Sequence, residues 1–316
     1  MKLEGIHHVT AITADAQQNV DFYAGVLGLR LVKKSINQDD TSVYHLFYAD
    51  EKADPGSDIT FFEYPGIPLG RPGAGMIHRV VWRVANREAL DFWIDRLASH
   101  GVAAQDNQDA IVFDDPEGLT HELRDEPVPD EPLIANHPEI PADVALQGFH
   151  AVRAYAADPQ SSRALLQDGL GFSEPVVVGP DGTILSFEVR GQRRGGSYLM
   201  EPPPAESGLQ GAGSVHHVAF ASLPEEHEAW REAVLAHGGR PTPIIDRFYF
   251  RSIYFREPSG VLFEIATIGP GFDVDEPLEE LGTKLSLTPQ YEHLRDQIEP
   301  HLKPLRNPRD SWTQRA

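Results

Sequence analysis

The chain has 316 residues, of which 41% are hydrophobic, and its formal net charge is −21. This hydrophobic content supports a packed core and excludes a disordered chain. Such an acidic surface repels phosphate backbones, which argues against a nucleic-acid partner. There is no cysteine, so disulfides, thiolate metal sites and a cysteine nucleophile are excluded.

The chain offers no membrane segment. No run of 18 apolar residues occurs, and the opening MKLEGIHHV has no apolar signal core, so we expect a cytoplasmic protein. Only six of the 27 basic residues are lysine. An acidic, lysine-poor surface suits a salt-rich cytoplasm, and GC-rich coding explains the arginine preference equally well.

Four short segments with a central histidine recur along the chain: Gly5 to Val9, Met76 to Val80, Gly148 to Val152 and Ser214 to Val218. Their first histidines are 71, 72 and 66 residues apart. Each segment is short and rich in β-branched or aromatic residues, which predicts a strand. Repeats at such a period indicate an architecture built from copies of one unit.

Each opening strand is followed by a run typical of a helix: residues 16–27, 87–100, 160–167 and 224–237. In the second run, Leu90, Trp93, Ile94 and Leu97 recur at helical spacing, and Gly101 follows as a stop signal. Strands close each copy, and residues 115–118 and 257–260 carry turn residues before the last strand of copies two and four. The pattern predicts an α+β fold of four βαβββ modules.

Glycine- and proline-rich joints separate the modules, and the proline-rich stretch 127–141 divides the chain near its middle. We therefore predict three regions: a domain at 1–135 with modules 3–68 and 76–126, a domain at 146–270 with modules 147–203 and 214–270, and a tail at 271–316. In the tail, Tyr291, Leu294, Ile298 and Leu302 fall on one side of a predicted short helix.

The repeated module resembles the vicinal-oxygen-chelate, or glyoxalase/bleomycin-resistance, superfamily. Within it, the chain is similar to ring-cleaving dioxygenases that act on hydroquinones. The motifs that carry the resemblance are residues 5–10, 60–65, 214–219, 255–264 and 289–293. The resemblance implies two pseudo-symmetric domains with cup-shaped mixed sheets. It also implies an Fe(II) cofactor, an aromatic substrate and O2.

One histidine position is shared by all four modules, at His7, His78, His150 and His216. A feature present in every copy is interpreted as architectural. The next position differs between modules: His8, Arg79, Ala151 and His217. Because successive strand side chains face opposite sides, His7 and His8 are not expected to point into one cavity. We predict that His8 and His217 bind a metal in a shared cup, the alternative being two buried histidines bonded to backbone.

The third predicted ligand is Glu264. The strand at 261–265 is apolar except for this residue, and a buried carboxylate is costly unless it is paired or metal-bound. Two histidines and one carboxylate form the facial triad of non-haem Fe(II) oxygenases. The sequence leaves Mn(II) open as the metal, and it leaves a salt-bridged glutamate open as the alternative.

Two further glutamates fall near the module position of Glu264. Glu122 matches it in module two, but Arg79 and Ala151 replace the histidines there, which predicts a vestigial or solvent-facing role. Glu63 in module one falls near the same register and would be a fourth ligand, as in glyoxalase I. The resemblance favours three ligands, so Glu63 is left out of the predicted site.

Catalytic candidates come from the strand before the final turn. Tyr254 is predicted to lie opposite Glu264 if the intervening loop has an odd number of residues, and Arg247 precedes it by seven. The resemblance implies that Tyr254, Arg247, His7 and His216 lie at or near the active site. For the two histidines this conflicts with strand alternation, unless they support the ligands or the strands are distorted. Phe248 to Phe250 line a pocket or fill the core.

The resemblance therefore implies an extradiol-type dioxygenase that opens a hydroquinone-like ring beside a hydroxyl group. Three alternatives stay open. The first is a catechol extradiol dioxygenase, the second a glyoxalase-type metal-dependent isomerase or lyase, and the third a non-catalytic binding protein. A homo-oligomer is also left open.

Overall fold

The structure, a computed structural model, describes residues 1–179 and 181–312. Within these residues lie sixteen strands: β1 Ile6–Thr13, β2 Arg30–Asn37, β3 Asp40–Ala49, β4 Asp58–Glu63, β5 Met76–Val84, β6 Gln105–Asp106, β7 Ala110–Asp114, β8 Thr120–Asp125, β9 Phe149–Tyr155, β10 Val176–Val178, β11 Ile184–Arg190, β12 Gly195–Glu201, β13 Val215–Ser222, β14 Ile245–Asp246, β15 Arg251–Arg256 and β16 Leu262–Thr267. The α-helices are α1 Ala16–Val20, α2 Arg87–Ser99, α3 His227–Ala236 and α4 Arg295–Ile298. In the described part of the chain, no helix combines the length and apolar character needed to cross a membrane.

The strands form two eight-stranded mixed sheets, which confirms the α+β prediction. The first sheet has the order β14-β15-β16-β13-β1-β4-β3-β2, and the second has the order β10-β11-β12-β9-β5-β8-β7-β6. At the centre of each, two opening strands pair antiparallel, β1 with β13 and β5 with β9. Modules one and four thus share the first sheet, and modules two and three share the second. We call the concave faces of these sheets the first cup and the second cup.

The predicted helices form, with local differences. In α2, Leu90, Trp93 and Leu97 are fully buried, and the Asn86 side chain caps the helix by accepting the Ala89 N–H. The first and third runs are irregular. The first continues from α1 into a π-helical turn at Asp21–Val26, and the third divides into Pro159–Ser162 and Leu165–Gly169.

The tail departs further from prediction. The expected continuous helix is broken into Glu292–Leu294, α4 and Glu299–His301. Pro300 lacks the N–H that would continue the helix. The apolar side is nevertheless buried as expected, with Ile298 and Leu302 in the core.

A β-bulge interrupts each of the four opening strands. Ile6 pairs with Phe220 and His8 with Ala219, so that His7 is one residue in excess. The equivalent shifts in strand register leave His216, His78 and His150 as the unpaired extra residues of the other three strands. A bulge inserts one residue, strengthens the local twist and turns the following side chains. The repeated histidine therefore marks a repeated backbone irregularity, in agreement with its architectural interpretation.

Candidate metal centre

His8, His217 and Glu264 meet at the floor of the first cup. The His8 Nε2 and His217 Nε2 atoms are 3.2 Å apart, and Glu264 Oε2 lies 3.1 Å from the first and 2.9 Å from the second. All three side chains are buried. Among the described residues, this is the group of histidines and acids whose atoms converge closely enough to hold a metal ion.

The central strands bring the three residues together. His8 lies on β1 and His217 on its antiparallel neighbour β13, while Glu264 lies on β16, parallel to β13 and opposite Ala219. The residues are thus contributed by three adjacent strands of one sheet.

The expectation that His7 faces away from His8 is wrong. Their Nδ1 atoms are 2.9 Å apart, and those of His216 and His217 are 2.8 Å apart. The bulges at His7 and His216 abolish the strict alternation of a regular strand. His7 therefore contacts His8, and His216 contacts His217. The family resemblance implies these positions near the site, whereas regular strand alternation would have placed His7 and His216 on the opposite face.

These contacts fit one arrangement of protons on the imidazole nitrogens. Burial, and then His8, lower the pKa of His7 to about 3, so His7 stays neutral. It bonds to the Thr267 backbone, and its Nδ1 is then free to accept a hydrogen bond from the Nδ1–H of His8. In this tautomer a neutral His8 presents a lone pair at Nε2, the atom that faces Glu264. Without a metal ion, Glu264 raises the pKa of His8 despite its burial.

The second pair follows the same logic. Burial, and then His217, lower the pKa of His216 to about 4, and a neutral His216 can accept from His217 Nδ1. The lone pair of His217 then also faces the centre. Outer histidines of this kind fix the orientation and tautomer of a metal ligand.

The donor set fits a divalent ion. Glu264 Oε2 is buried and has no hydrogen-bond partner among the described residues, although two imidazole nitrogens lie beside it. A cation stabilises two imidazole nitrogens and a carboxylate oxygen at this separation: a metal ion when one is bound, or a proton on His8, whose pKa Glu264 raises despite burial. Neighbouring ligands of an octahedral ion with bonds of about 2.1 Å lie about 3.0 Å apart, which matches the observed spacing.

Ser252 holds the Glu264 carboxylate in place. Its hydroxyl donates to Glu264 Oε1 from the adjacent strand β15. The carboxylate thereby keeps Oε2 directed at the centre. Despite burial, the two neighbouring imidazoles hold the pKa of Glu264 well below its ordinary value.

Register excludes Glu63 from the centre. Glu264 lies opposite the residue two after His217, and in module one the corresponding pair is Thr10 and Thr60. The position of a fourth carboxylate is thus held by Thr60. Glu63 lies three residues further along β4, where Oε1 accepts the Ala16 N–H at 3.1 Å.

A pocket of about 50 Å³ lies over the triad. Its walls come from β1–β4, from the β2–β3 turn, from β13, from β15 and from the segment before β15. The lining residues are His8, Thr10, Ser35, Ile36, Asn37, Gln38, Asp39, His45, Phe47, Phe62, His217, Arg247, Tyr249, Phe250 and Tyr254. Tyr249 and Phe250 line this pocket and are also buried in a hydrophobic cluster, so they serve both pocket and core.

Tyr254 lies directly opposite Glu264, as predicted. Its ring packs edge-on against His217, with centroids 5.7 Å apart. Arg247 Nε donates to the Tyr254 hydroxyl at 3.3 Å, and its Nη2 pairs with Asp39 at 3.0 Å. Arg247 is therefore part of the pocket wall and not a free surface cation.

Sequence reasoning missed Asp39, His45 and Ser252. His45 Nε2 lies 2.9 Å from Thr60 Oγ1, which in turn bonds Thr10 Oγ1 at 2.8 Å. Two of the three carried a usable signal. Ser252 is two residues before Tyr254, and His45 is two residues before Phe47, so period-two alternation from a known inward residue would have found them.

Glu122 proves to be buried, not solvent-facing. It lies opposite Val81 as Glu264 lies opposite Ala219, which confirms the shared module position. Arg79, Arg124 and Arg153 all donate to its carboxylate.

Paired βαβββ modules around a His–His–carboxylate cup define a protein of the glyoxalase fold class. The family model of the Glyoxalase/Bleomycin resistance protein/Dioxygenase superfamily matches residues 5–123 and 148–265, and the chain belongs to this superfamily.

Similar proteins are named as dioxygenases. The chain is 41% identical over 315 residues to the "Putative ring-cleaving dioxygenase MhqA" of Bacillus subtilis, covering 96% of this chain and 100% of the relative. It is 30% identical over 314 residues to the chlorohydroquinone/hydroquinone 1,2-dioxygenase of Sphingobium indicum, covering 94% and 95%. A crystal structure described as a putative dioxygenase from Bacillus subtilis superposes with a TM-score of 0.90 at 38% identity, covering 96% of this chain and 98% of that one.

Proposed function

We propose that the chain is an Fe(II)-dependent dioxygenase that opens a hydroquinone-like ring with O2. His8, His217 and Glu264 are the proposed metal ligands. The observation that carries the proposal is a buried centre with three ligands and a threonine, Thr60, at the position of a fourth. Three ligands leave positions for both a substrate oxygen and O2. The names of the similar proteins support the ring-cleaving chemistry.

When bound, a ferrous ion supplies a Lewis acid that favours phenolate over phenol and the redox chemistry that activates O2. The protein contributes orientation and charge. His7 and His216 hold the ligand imidazoles in the tautomer that presents Nε2 to the centre. Ser252 fixes the carboxylate.

The pocket walls provide groups for the substrate. The Tyr254 hydroxyl carries a proton that it can donate at the centre, and Arg247 lies beside it to stabilise a developing anion. Phe47, Phe62 and Phe250 form flat apolar walls suited to a ring. The roles of Tyr254 and Arg247 are proposals for this chain, and the family resemblance implies active-site positions for both residues.

The cavity must widen to admit a ring. Benzene occupies a cavity of about 150 Å³, whereas the pocket measures about 50 Å³. The ion pair between Arg247 and Asp39 joins the pocket wall to the β2–β3 turn. Asp39 is 74% exposed, so this pair can separate at little energetic cost.

The test is anaerobic reconstitution with Fe(II) or Mn(II), followed by O2 uptake with hydroquinone and with catechol. We expect Fe(II) to support hydroquinone-dependent uptake of one O2 per ring opened. Faster turnover of catechol would favour the catechol extradiol alternative. Metal binding without O2 uptake on either substrate would contradict the proposal.

A further inference from the structure

The second cup contains a cavity of about 730 Å³, far larger than the pocket over the metal centre. Its floor corresponds to that centre. Glu122 stands at the position of Glu264, Arg79 at that of His217 and Ala151 at that of His8. Ala151, whose methyl side chain cannot bind a metal, lines the cavity at the position equivalent to His8.

Three guanidinium groups surround Glu122. Arg79 Nη1 and Arg153 Nη1 donate to Oε2 at 2.9 and 2.8 Å, and Arg124 Nη2 donates to Oε1 at 2.8 Å. Arg153 Nε also donates to Glu201. Three cations thus face two carboxylates, which leaves one positive charge in excess on the floor.

The floor also has an excess of hydrogen-bond donors. Three guanidiniums together carry about fifteen N–H groups, and among the described residues five hydrogen bonds to carboxylates use them. Arg79 Nε is buried and has no partner among those residues. Arg124 and Arg153 both line the cavity, so their remaining donors are available to a ligand.

The walls and the rim restrict what can bind. Apolar groups line the cavity, including Val81, Phe149, Ile184 and Leu199. At the rim, Arg190 bonds both Asp130 and Glu188, which leaves Glu126 as a further acidic lining residue. The rim therefore carries two negative charges in excess, and the surplus positive charge is confined to the floor. That charge, the donor array and the apolar walls suit one small organic anion that reaches the floor.

We propose that the second cup is a binding site for an organic monocarboxylate with a flat apolar body. The carboxylate lies against Arg124 and Arg153, in the part of the cup where the first cup holds its metal ligands. The apolar body lies against Phe149 and Leu199. Planar, bidentate pairing makes arginine well suited to a carboxylate. This site is independent of the proposed dioxygenase activity.

Calorimetric titration of the full-length chain with benzoate tests the site, with benzamide as the neutral control. We expect saturable one-site binding of benzoate and none of benzamide. Arg124→Met should weaken binding about tenfold or more, because it removes a charge-assisted contact. Ala151→Leu should weaken it by filling the floor, and Glu126→Gln should tighten it by removing a nearby negative charge.

Arg247→Met, in the first cup, is the matched control and should leave the benzoate Kd within about twofold, since the two cups lie on separate sheets. Circular dichroism melting verifies that each variant is folded. If Arg124→Met does not fold, Ala151→Leu and Glu126→Gln decide the matter. Absence of saturable benzoate binding, or binding abolished by Arg247→Met and not by Ala151→Leu, would overturn the proposal.

Discussion

Glu264 and Glu122 occupy the same register position in the two sheets, opposite Ala219 and Val81 respectively. Glu264 faces two imidazoles and keeps one buried oxygen without a hydrogen-bond partner among the described residues. Glu122 instead receives hydrogen bonds from three arginines. The same backbone position thus holds a carboxylate prepared for a metal ion in one cup and a carboxylate neutralised by guanidinium groups in the other.

The first prediction concerns the ligands. His8→Ala, His217→Ala and Glu264→Gln should each abolish stoichiometric Fe(II) retention, because two remaining donors are too few to hold the ion in a buried site. Metal per chain is measured by plasma mass spectrometry after desalting. His100→Ala, at an exposed position, is the control and should retain full metal. Unchanged iron content in any ligand variant would refute the assignment.

The bulge histidines should act through metal affinity. His7→Ala removes the acceptor of His8 Nδ1, and we expect a loss of about 10–100-fold in affinity. Competition with a chelator measures it. His78→Ala alters the corresponding bulge in the second sheet and should leave the affinity unchanged. Equal losses in both variants would mean that the effect is not specific to the contact between His7 and His8.

Substitutions of Arg247 and of Asp39 should have different effects on the steady-state kinetic constants. Arg247→Met should lower kcat about 100-fold or more if it stabilises an anion formed during the reaction. Asp39→Asn should change KM less than about fivefold, since an exposed ion pair contributes ~0–1 kcal/mol. O2 uptake with hydroquinone measures both. Equally large losses of kcat would show that Asp39 does more than hold the pocket wall.

Acid stability should depend on His121, which is fully buried. Trp82 Nε1 donates to its Nδ1 at 3.0 Å, and its Nε2 lies 2.8 Å from the Tyr23 hydroxyl. Burial lowers the pKa of His121 to about 3, against about 6.5 when unfolded. The unfolded chain therefore binds one more proton between about pH 3 and 6.5, so this residue makes stability fall as the pH falls through that window.

His121→Gln should reduce the slope of unfolding free energy against pH by the equivalent of about one proton between pH 4 and 6. Urea unfolding of metal-free protein, prepared with a chelator, measures this slope across the same pH range. Burial raises the pKa of the neighbouring Asp115 to about 6, which gives a slope of opposite sign. Asp115 and His121 both bond the Tyr23 hydroxyl, so the same comparison made in an Asp115→Asn background separates the two contributions. Parallel slopes for wild type and variant would contradict the prediction.

The correspondence of the two cups predicts a gain of function. The triple substitution R79H, A151H and R153T places the residues of the first cup around Glu122, since Thr10 occupies the module position of Arg153. We expect a second, weaker ion per chain, because Arg124 still pairs with Glu122. Co(II) absorption and metal content measure it. If the variant still binds one ion per chain, the identity of these three residues does not by itself explain why only the first cup is proposed to bind a metal.

Much of the fold followed from local patterns. The 71-, 72- and 66-residue repeat and the helical spacing in α2 predicted four modules because both patterns are written along the chain. The ligand positions emerged by comparing modules with one another: the residue after the shared histidine is histidine in the first and fourth copies alone. The distance between His8 and His217 depends on which modules share a sheet, and local pattern does not encode that pairing.

The sequence by itself determined the module and the candidate donors, because periodicity acts locally. It placed Tyr254 opposite Glu264 only on the condition of an odd-numbered loop, and the strand register met that condition. Only the tertiary structure decided the roles of His7, Glu63 and Glu122. A bulge brought His7 beside His8, a three-residue offset removed Glu63 from the cup, and three arginines from three adjacent strands enclosed Glu122. Each outcome depends on inter-strand register, where a shift of a single residue reverses the face that a side chain occupies.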